Sequence, residues 1–292
     1  MPNEFVFIAD FFANQIAGGG ELNNEEAIDL LKKRGHAVIK INSHLVTPDY
    51  IAKNLNKKFI VGNFINLSEK CRSALIDQTE YVIYEHDHKY LQTRDPSIFP
   101  EFLAPESAIV NRQFYKNATI VLGQSKSHTE IIRKNLGYEN IVNLGGNLWS
   151  EDVLNFIEEL ASTEKRKKAS IMQSSNPIKN TSDAITYCKI KNIDYELIPP
   201  QKYEDFLTSL SKNDTLIFFP KTAETLSRII VEARMMGITT ITNKLIGALS
   251  EDWFKTKGTK LIETMRNKRV TIIDIIERAF TECDSDQLGE NK

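Results

Sequence analysis

The sequence predicts an α/β protein built as two Rossmann-like halves facing each other across a cleft. Short apolar runs alternate with amphipathic segments of about ten residues along most of the chain, the rhythm of right-handed βαβ units on a parallel sheet. The alternation breaks at one polar, charged stretch, "ASTEKRKKAS" from Ala161 to Ser170, and then restarts. The chain has 292 residues, 41% hydrophobic and 26% charged, enough for two modest cores.

Each element follows from its local pattern. "FVFIA" (Phe5 to Ala9) reads as a buried strand. In "NNEEAIDLLKKRG", Ala27, Leu30, Leu31 and Arg34 recur at helical spacing, and Gly35 is a natural stop. "AVIKI" is the next strand, followed by a helix near Pro48 to Leu55, the strand "FIVGNF", a helix near Ser68 to Asp77 and the strand "YVIYEH". "TIVLGQS", the helix "HTEIIRKNL", the strand "NIVNLGG" and the helix "EDVLNFIEEL" complete the first half. Beyond the break come "SIMQSS", "DAITYCKIKN", "YELIPP", "YEDFLTSLS", "TLIFFP", "ETLSRIIVEARMMG" and "TTITN", another alternating set. "VTIIDIIERAF" makes a last helix, and the polar tail "DSDQLGENK" is expected to fray. The chain accordingly divides into residues 1–163 and 164–292, with the last helix free to pack back on the first unit.

Composition narrows the setting. A net charge of −2 makes no global electrostatic case for nucleic acid, although basic residues gather in "KNLNKKF", "EKRKKAS" and "MRNKR". Those clusters also suit an ordinary solvated surface. Cys71, Cys188 and Cys283 lie far apart with no C-x-x-C pair, which argues against a disulfide framework and a structural zinc site. The N-terminus lacks a signal-peptide pattern, and no apolar run approaches the roughly 18 residues of a membrane span. The expected setting is cytoplasm, that of the host if the gene is carried by a phage.

In open α/β sheets ligands sit beyond the carboxyl ends of the strands, so the chemistry is expected in strand-to-helix loops. Gly18, Gly19 and Gly20 lie between the first strand and the first helix, where they allow close approach of a ligand to a helix N-terminus. Their spacing is not G-x-G-x-x-G, and the same residues suit a flexible turn. "YEHDHKY" (Tyr84 to Tyr90) sets Glu85, His86, Asp87 and His88 in a row at a strand end. His and Asp there can act as base, charge stabiliser or metal ligand. Metal binding is the weaker reading, because adjacent residues of an extended strand point to opposite faces. "SSNPIKN" (Ser174 to Asn180) offers hydroxyls, N–H groups and Lys179 to phosphate oxygens, or simply a helix cap at Asn180 or Thr181.

The last motif is the pair Glu224 and Glu232, seven residues between them, with Arg228 in the middle. On a helix, positions eight apart differ by about 80° in direction and about 12 Å in rise, so a long ligand across the helix start could touch both. The plain alternative is a first-turn acid at Glu224 and an i,i+4 Arg228–Glu232 pair. The apolar strand "TLIFF" immediately before it favours a site.

Together the glycine loop with Glu21, "LLKKRGHAVIKI", the Lys179 loop and "PKTAETLSRIIVEARMMGITTITN" resemble a GT-B glycosyltransferase of the retaining, E-x7-E type. The resemblance implies a GT-B fold, with an acceptor-side first domain and a donor-binding second domain. It implies a nucleotide diphosphate sugar as donor, uridine-based, with no tightly bound cofactor and no metal. It also implies donor-binding roles for Gly19, Gly20, Lys179, Glu224, Arg228 and Glu232. Glu224 would meet the sugar hydroxyls and Glu232 the ribose, while Lys179, helped by Arg228, would meet the diphosphate. "VIYEHDHKYLQTR" is similar to the His-Asp-His region of phage DNA α-glucosyltransferases, which implies His86 and Asp87 at the reaction centre. That match favours a hydroxymethylated base of phage DNA as acceptor; the net charge and the family's breadth favour a glycan or small-molecule hydroxyl. A nucleotide-sugar epimerase and an inactive sugar-nucleotide-binding module are the rivals from other classes.

Overall fold

A computed structural model describes residues 3–16 and 18–281 of the chain. Two parallel sheets form. The first contains β1 (Glu4–Ala9), β2 (Ala37–Asn42), β3 (Lys58–Val61), β4 (Tyr81–Tyr84), β5 (Ile120–Gly123) and β6 (Ile141–Asn143), in the order β2-β1-β3-β4-β5-β6. The second contains β7 (Arg166–Met172), β8 (Tyr195–Ile198), β9 (Asn213–Phe218) and β10 (Thr239–Thr242), in the order β10-β9-β7-β8. Every strand pairing in both sheets is parallel.

In such sheets the chain starts centrally and winds to both sides, which leaves a crevice between two strands whose connections leave in opposite directions. In the first sheet that switch point lies between β1 and β3. In the second it lies between β7 and β9.

The connecting helices are α1 (Gly19–Lys33), α2 (Pro48–Ala52), α3 (Glu69–Gln78), α4 (Arg112–Asn117) and α5 (Lys126–Leu136) around the first sheet, while α6 (Glu151–Ala161) follows β6 and buries Leu154, Ile157 and Leu160 in the second unit's core. Around the second are α7 (Thr181–Lys191), α8 (Tyr203–Ser211) and α9 (Arg228–Met235), with α10 (Thr259–Arg278) closing the chain. Several start where a side chain can take up a free N–H. Ser68 caps α3 through Cys71 N (3.3 Å), Ser125 caps α5 through His128 N (3.1 Å), and Ser150 caps α6 through Val153 N (3.3 Å). Gly137, at φ 72°, ends α5 in the left-handed conformation that glycine tolerates.

Four elements differ from the sequence reading. α1 begins at Gly19, so Gly19 and Gly20 form its first turn and only Gly18 is its cap. α9 begins at Arg228, which leaves Glu224 in extended chain, bridged in parallel to Ile246. The start expected at Glu224 fails because Glu224 N–H donates to Leu245 O (2.8 Å) and its carbonyl accepts from Gly247 N (2.8 Å), a strand-like pairing that the local sequence does not advertise. α10 starts at Thr259, well before Val270, and β7 starts at Arg166, inside the polar stretch. Cys283 and the polar tail lie outside the described residues.

α10 explains how the two sheets share one body. Its first turns bury Leu261, Ile262 and Met265 in the second unit's core beside Leu154 and Val231. Its last turns bury Ile272, Ile273 and Ile276 against Phe5, Phe7 and Leu31 of the first unit. Arg269 joins Glu26 of α1 (2.8 Å) and Glu151 of α6, and Arg266 joins Glu151 (2.7 Å) and Glu158 (2.9 Å). No helix among the described residues is long and apolar enough to cross a membrane. Because Ile273 is fully buried, Ile273→Ala is expected to cost about 2–4 kcal/mol of unfolding free energy, read from the urea midpoint. A loss under about 0.5 kcal/mol would mean that α10 does not pack there.

Candidate functional site

Two recesses open at the carboxyl ends of the strands, one at each switch point. The first, about 320 Å³, is lined from both units: Gly19, Gly20 and His86 on one side, Met172, Lys179 and Glu224 on the other. Met172 ends β7, so this recess sits at the second sheet's switch point. The second, about 360 Å³, has Asp10 and Phe11 beyond β1 and Asn63 beyond β3, the first sheet's switch point. Gly20 and His86 line both recesses, so they form the wall between them.

The wall is held by a chain of hydrogen bonds. His86 Nε2 lies 2.5 Å from Asn24 Oδ1, and Gln124 Nε2 lies 2.5 Å from His86 Nδ1. Thr225 Oγ1, from the second unit, donates to Gln124 Oε1 (2.6 Å). Burial, reinforced by Lys89, His128 and Arg228, holds the His86 pKa well below the usual imidazole range. A neutral ring fits these bonds: Nε2–H donates to Asn24 and Nδ1 accepts from the Gln124 amide. Both ring nitrogens are thus occupied. His86 is a neutral, oriented part of the wall. Position 20 lies directly against the ring: a Cβ on Gly20 would meet it at 3.6 Å, an ordinary contact distance.

Asp87, the next residue, turns to the second recess and pairs with Arg94 (3.2 Å). Its loop rests on a buried polar cluster. Glu85 accepts hydrogen bonds from Lys89, from Tyr115 and from the Asp87 N–H (2.8 Å). His128 Nε2 meets the Asp87 carbonyl (2.9 Å), and His128 Nδ1 accepts from Gln124 N (3.1 Å). Four adjacent ionisable residues thus diverge. Glu85 and His88 are buried beneath the loop, His86 faces the wall, and Asp87 faces the second recess. Among the described residues no cluster of three His, Cys, Asp or Glu side chains could hold a metal ion.

The first recess is rich in unmatched donors. The N-termini of α1 and α9 meet there, where a Cβ on Gly19 would lie 3.1 Å from Arg228 Cδ. The N–H groups of Thr225, Leu226 and Ser227 have no acceptor among the described residues. Ser227 takes a positive φ of 77°, a conformation that curls successive N–H groups into a concave anion cradle. Ser227 Oγ and Asn147 Oδ1, both in residues that line the recess, are buried without partners. Such orphans are costly inside a protein unless a ligand or water completes them.

Charged residues in this recess pair with each other. Lys179, in the Pro177–Lys179 turn, lies 2.7 Å from Glu224 Oε1. Arg228 stacks its guanidinium 4.3 Å from the centre of the Trp149 ring and donates to Leu148 O (2.7 Å). Glu232 lies deeper, 3.4 Å from Arg228 Nε. It is almost fully buried, does not line the recess, and its Oε1 accepts from Trp149 Nε1 (2.9 Å) and Tyr203 Oη (2.6 Å). The structure therefore brings together Gly19, Gly20, His86, Lys179, Glu224 and Arg228. It sets Asp87 in the adjoining recess and Glu232 behind the helix. Sequence reasoning missed Asn24, Gln124, Asn147, Trp149, Tyr203, Thr225 and Ser227. Gln124 and Asn147 follow β5 and β6, where the strand-end rule would have found them.

No protein-family model matches the chain, and no curated protein matches it. Solved structures do. The catalytic domain of starch synthase IV from Arabidopsis thaliana, bound to ADP and acarbose, is 10% identical with a TM-score of 0.61, over 97% of this chain and 99% of that one. Anabaena Alr3699/HepE in complex with UDP and glucose is 12% identical with a TM-score of 0.53, over 95% and 92%. An α-glucosyltransferase in complex with UDP and a DNA 13-mer is 12% identical over 99% of each chain, but its TM-score of 0.48 is too weak an overlap to bear on the acceptor. The likeness is one of fold, and the fold is GT-B.

The buried histidines make a stability prediction. Burial keeps His86 and His88 neutral, and brings the His128 pKa down to about 3. Unfolded, each would bind a proton near pH 6.5. Their contribution is therefore complete above that pH and is lost as pH falls. Burial raises the Glu85 pKa, which opposes the trend by one group. Unfolding free energy should fall between pH 6.5 and 5 by roughly 2–4 kcal/mol per pH unit, as urea titrations would show. A flat profile would mean that the folded protein carries these rings charged.

Proposed function

We propose that the chain is a glycosyltransferase that moves a sugar from a nucleotide diphosphate sugar to an acceptor hydroxyl. The observation that carries this reading is the pair of recesses, one at each switch point, separated only by His86 and Gly20. A donor in the first and an acceptor in the second would meet at that wall. Residues 164–292 would then form the donor-binding domain and residues 1–163 the acceptor-side domain.

The diphosphate would lie on the free N–H groups of 225–227 and the two helix N-termini, with Lys179 and Arg228 as counter-charges. A uridine donor is supported by HepE, which was crystallised with UDP and with UDP-glucose; the starch synthase carries ADP. Glu224 would hold the sugar hydroxyls. Glu232 could reach the ribose only through Oε2, since Oε1 is engaged.

In the reaction the acceptor oxygen forms a bond to the anomeric carbon while the bond from that carbon to the diphosphate breaks. The electron pair leaves on the nucleotide diphosphate, whose freed oxygen takes the hydroxyl proton. Charge therefore builds on the diphosphate, and preorganised cations and N–H groups stabilise it without a metal. Asp87 and Arg94 would orient the hydroxyl. Retention of anomeric configuration is the outcome that the E-x7-E resemblance implies. A hydroxymethylated cytosine of DNA, suggested by residues 82–94, and a glycan or small-molecule hydroxyl would react alike.

Variants separate the roles. Removing a charge-assisted contact is worth about 1.5–3 kcal/mol, so Lys179→Ala should weaken UDP binding roughly 10- to 100-fold by calorimetry. Glu224→Gln should chiefly lower kcat for transfer. Glu232→Gln tests the ribose contact: UDP affinity equal to that of the unaltered protein removes that role.

A further inference from the structure

Building on that reading, we infer that the second recess takes an uncharged, polyhydroxylated acceptor, a saccharide, and not a nucleic acid. The cavity of about 360 Å³ at the first switch point suits one or two sugar rings. Its charges are the wrong sign for phosphate. Asp10, Glu21 and Asp87 line it against one cation, Arg94, which Asp87 already holds at 3.2 Å. A phosphodiester would have to take Arg94 from Asp87 while approaching the other carboxylates. Lys40, on the neighbouring strand β2, is held by Glu25 (2.8 Å). DNA binding draws its affinity from such cations neutralising phosphates.

The lining has what a sugar face requires. Phe11 and Ile65 stand 41% and 51% exposed on the recess, an apolar surface of the kind that the C–H face of a pyranose covers. Glu21 Oε2 is turned back against Gly18, while Oε1 has only Asn63 Nδ2 near it, at 3.5 Å, and is left to accept from a hydroxyl. Asp10 builds the wall and does not bind. Its carboxylate accepts from Ser43, from Ile65 N (2.9 Å) and from Asn66 N (2.9 Å), which fixes the loop beyond β3. The recess is thus shaped by buried hydrogen bonds and rests against the reaction wall.

The test uses the full chain with UDP-hexose donors. Acceptors are methyl glucosides, methyl galactosides, methyl mannosides, maltose and cellobiose, beside duplex DNA containing hydroxymethylcytosine. UDP release and product mass are followed. The expected result is at least tenfold faster UDP release with a saccharide, one hexose added to it, and DNA unmodified. Phe11→Ala and Glu21→Gln should each raise the saccharide KM at least tenfold, with UDP binding as the check on folding. Hexose added to the DNA overturns the inference. Donor hydrolysis that leaves every saccharide and the DNA unmodified also overturns it, while leaving the donor site standing. Failure to bind any nucleotide diphosphate brings down the glycosyltransferase reading itself.

Discussion

One imidazole carries the geometry of this protein. His86 leaves the end of β4 and is fixed from both sides, by Asn24 of α1 and by Gln124 at the end of β5. Gln124 in turn receives Thr225 from the second unit. A three-link chain therefore ties the first helix, the first sheet and the Thr225 loop of the second unit into one wall. The neutral state of the ring is part of this, since a charged ring would turn Nδ1 from acceptor to donor and break the Gln124 contact as drawn. Both recesses take their shared face from that ring and from the glycine beside it.

The second theme is charge held in readiness. Lys179 faces Glu224 and Arg228 lies 3.4 Å from Glu232, so each cation of the first recess has a carboxylate partner. An anionic ligand would compete for these cations, and the carboxylates released would face hydroxyls. Such exchange keeps a cationic site from unfolding its own walls by self-repulsion. The N–H groups of 225–227, Ser227 Oγ and Asn147 Oδ1 have no such internal substitute. Local structure has left them incomplete, which is why they mark the site more sharply than the charged residues do.

The two units are not independent beads. Two free N–H groups at the start of α5 are taken by the second unit, Lys126 N by Glu251 Oε1 (2.7 Å) and Ser127 N by Ser250 Oγ (2.9 Å). Gly247 permits this approach, because a Cβ there would fall 2.5 Å from Ser125 Oγ, the cap of α5. With α10 spanning both cores, one side of the cleft is packed continuously from unit to unit.

The sequence by itself determined the α/β rhythm and the strand ends where polar residues gather. Burial of apolar runs and helical periodicity are local properties, and they suffice for that. It also pointed to six residues that the fold brings into one recess. Only the tertiary structure decided what those residues can do. The helix expected from Glu224 starts at Arg228, because a partner strand-like segment near Ile246 claims the backbone of Glu224. His86 is one of four adjacent ionisable residues in sequence and an oriented part of the wall in space, because Asn24 and Gln124, 62 and 38 residues away, take both nitrogens. Glu232 is drawn behind its helix by Trp149 and Tyr203. In each case the deciding hydrogen bond comes from a residue far along the chain, and no local pattern carries that information.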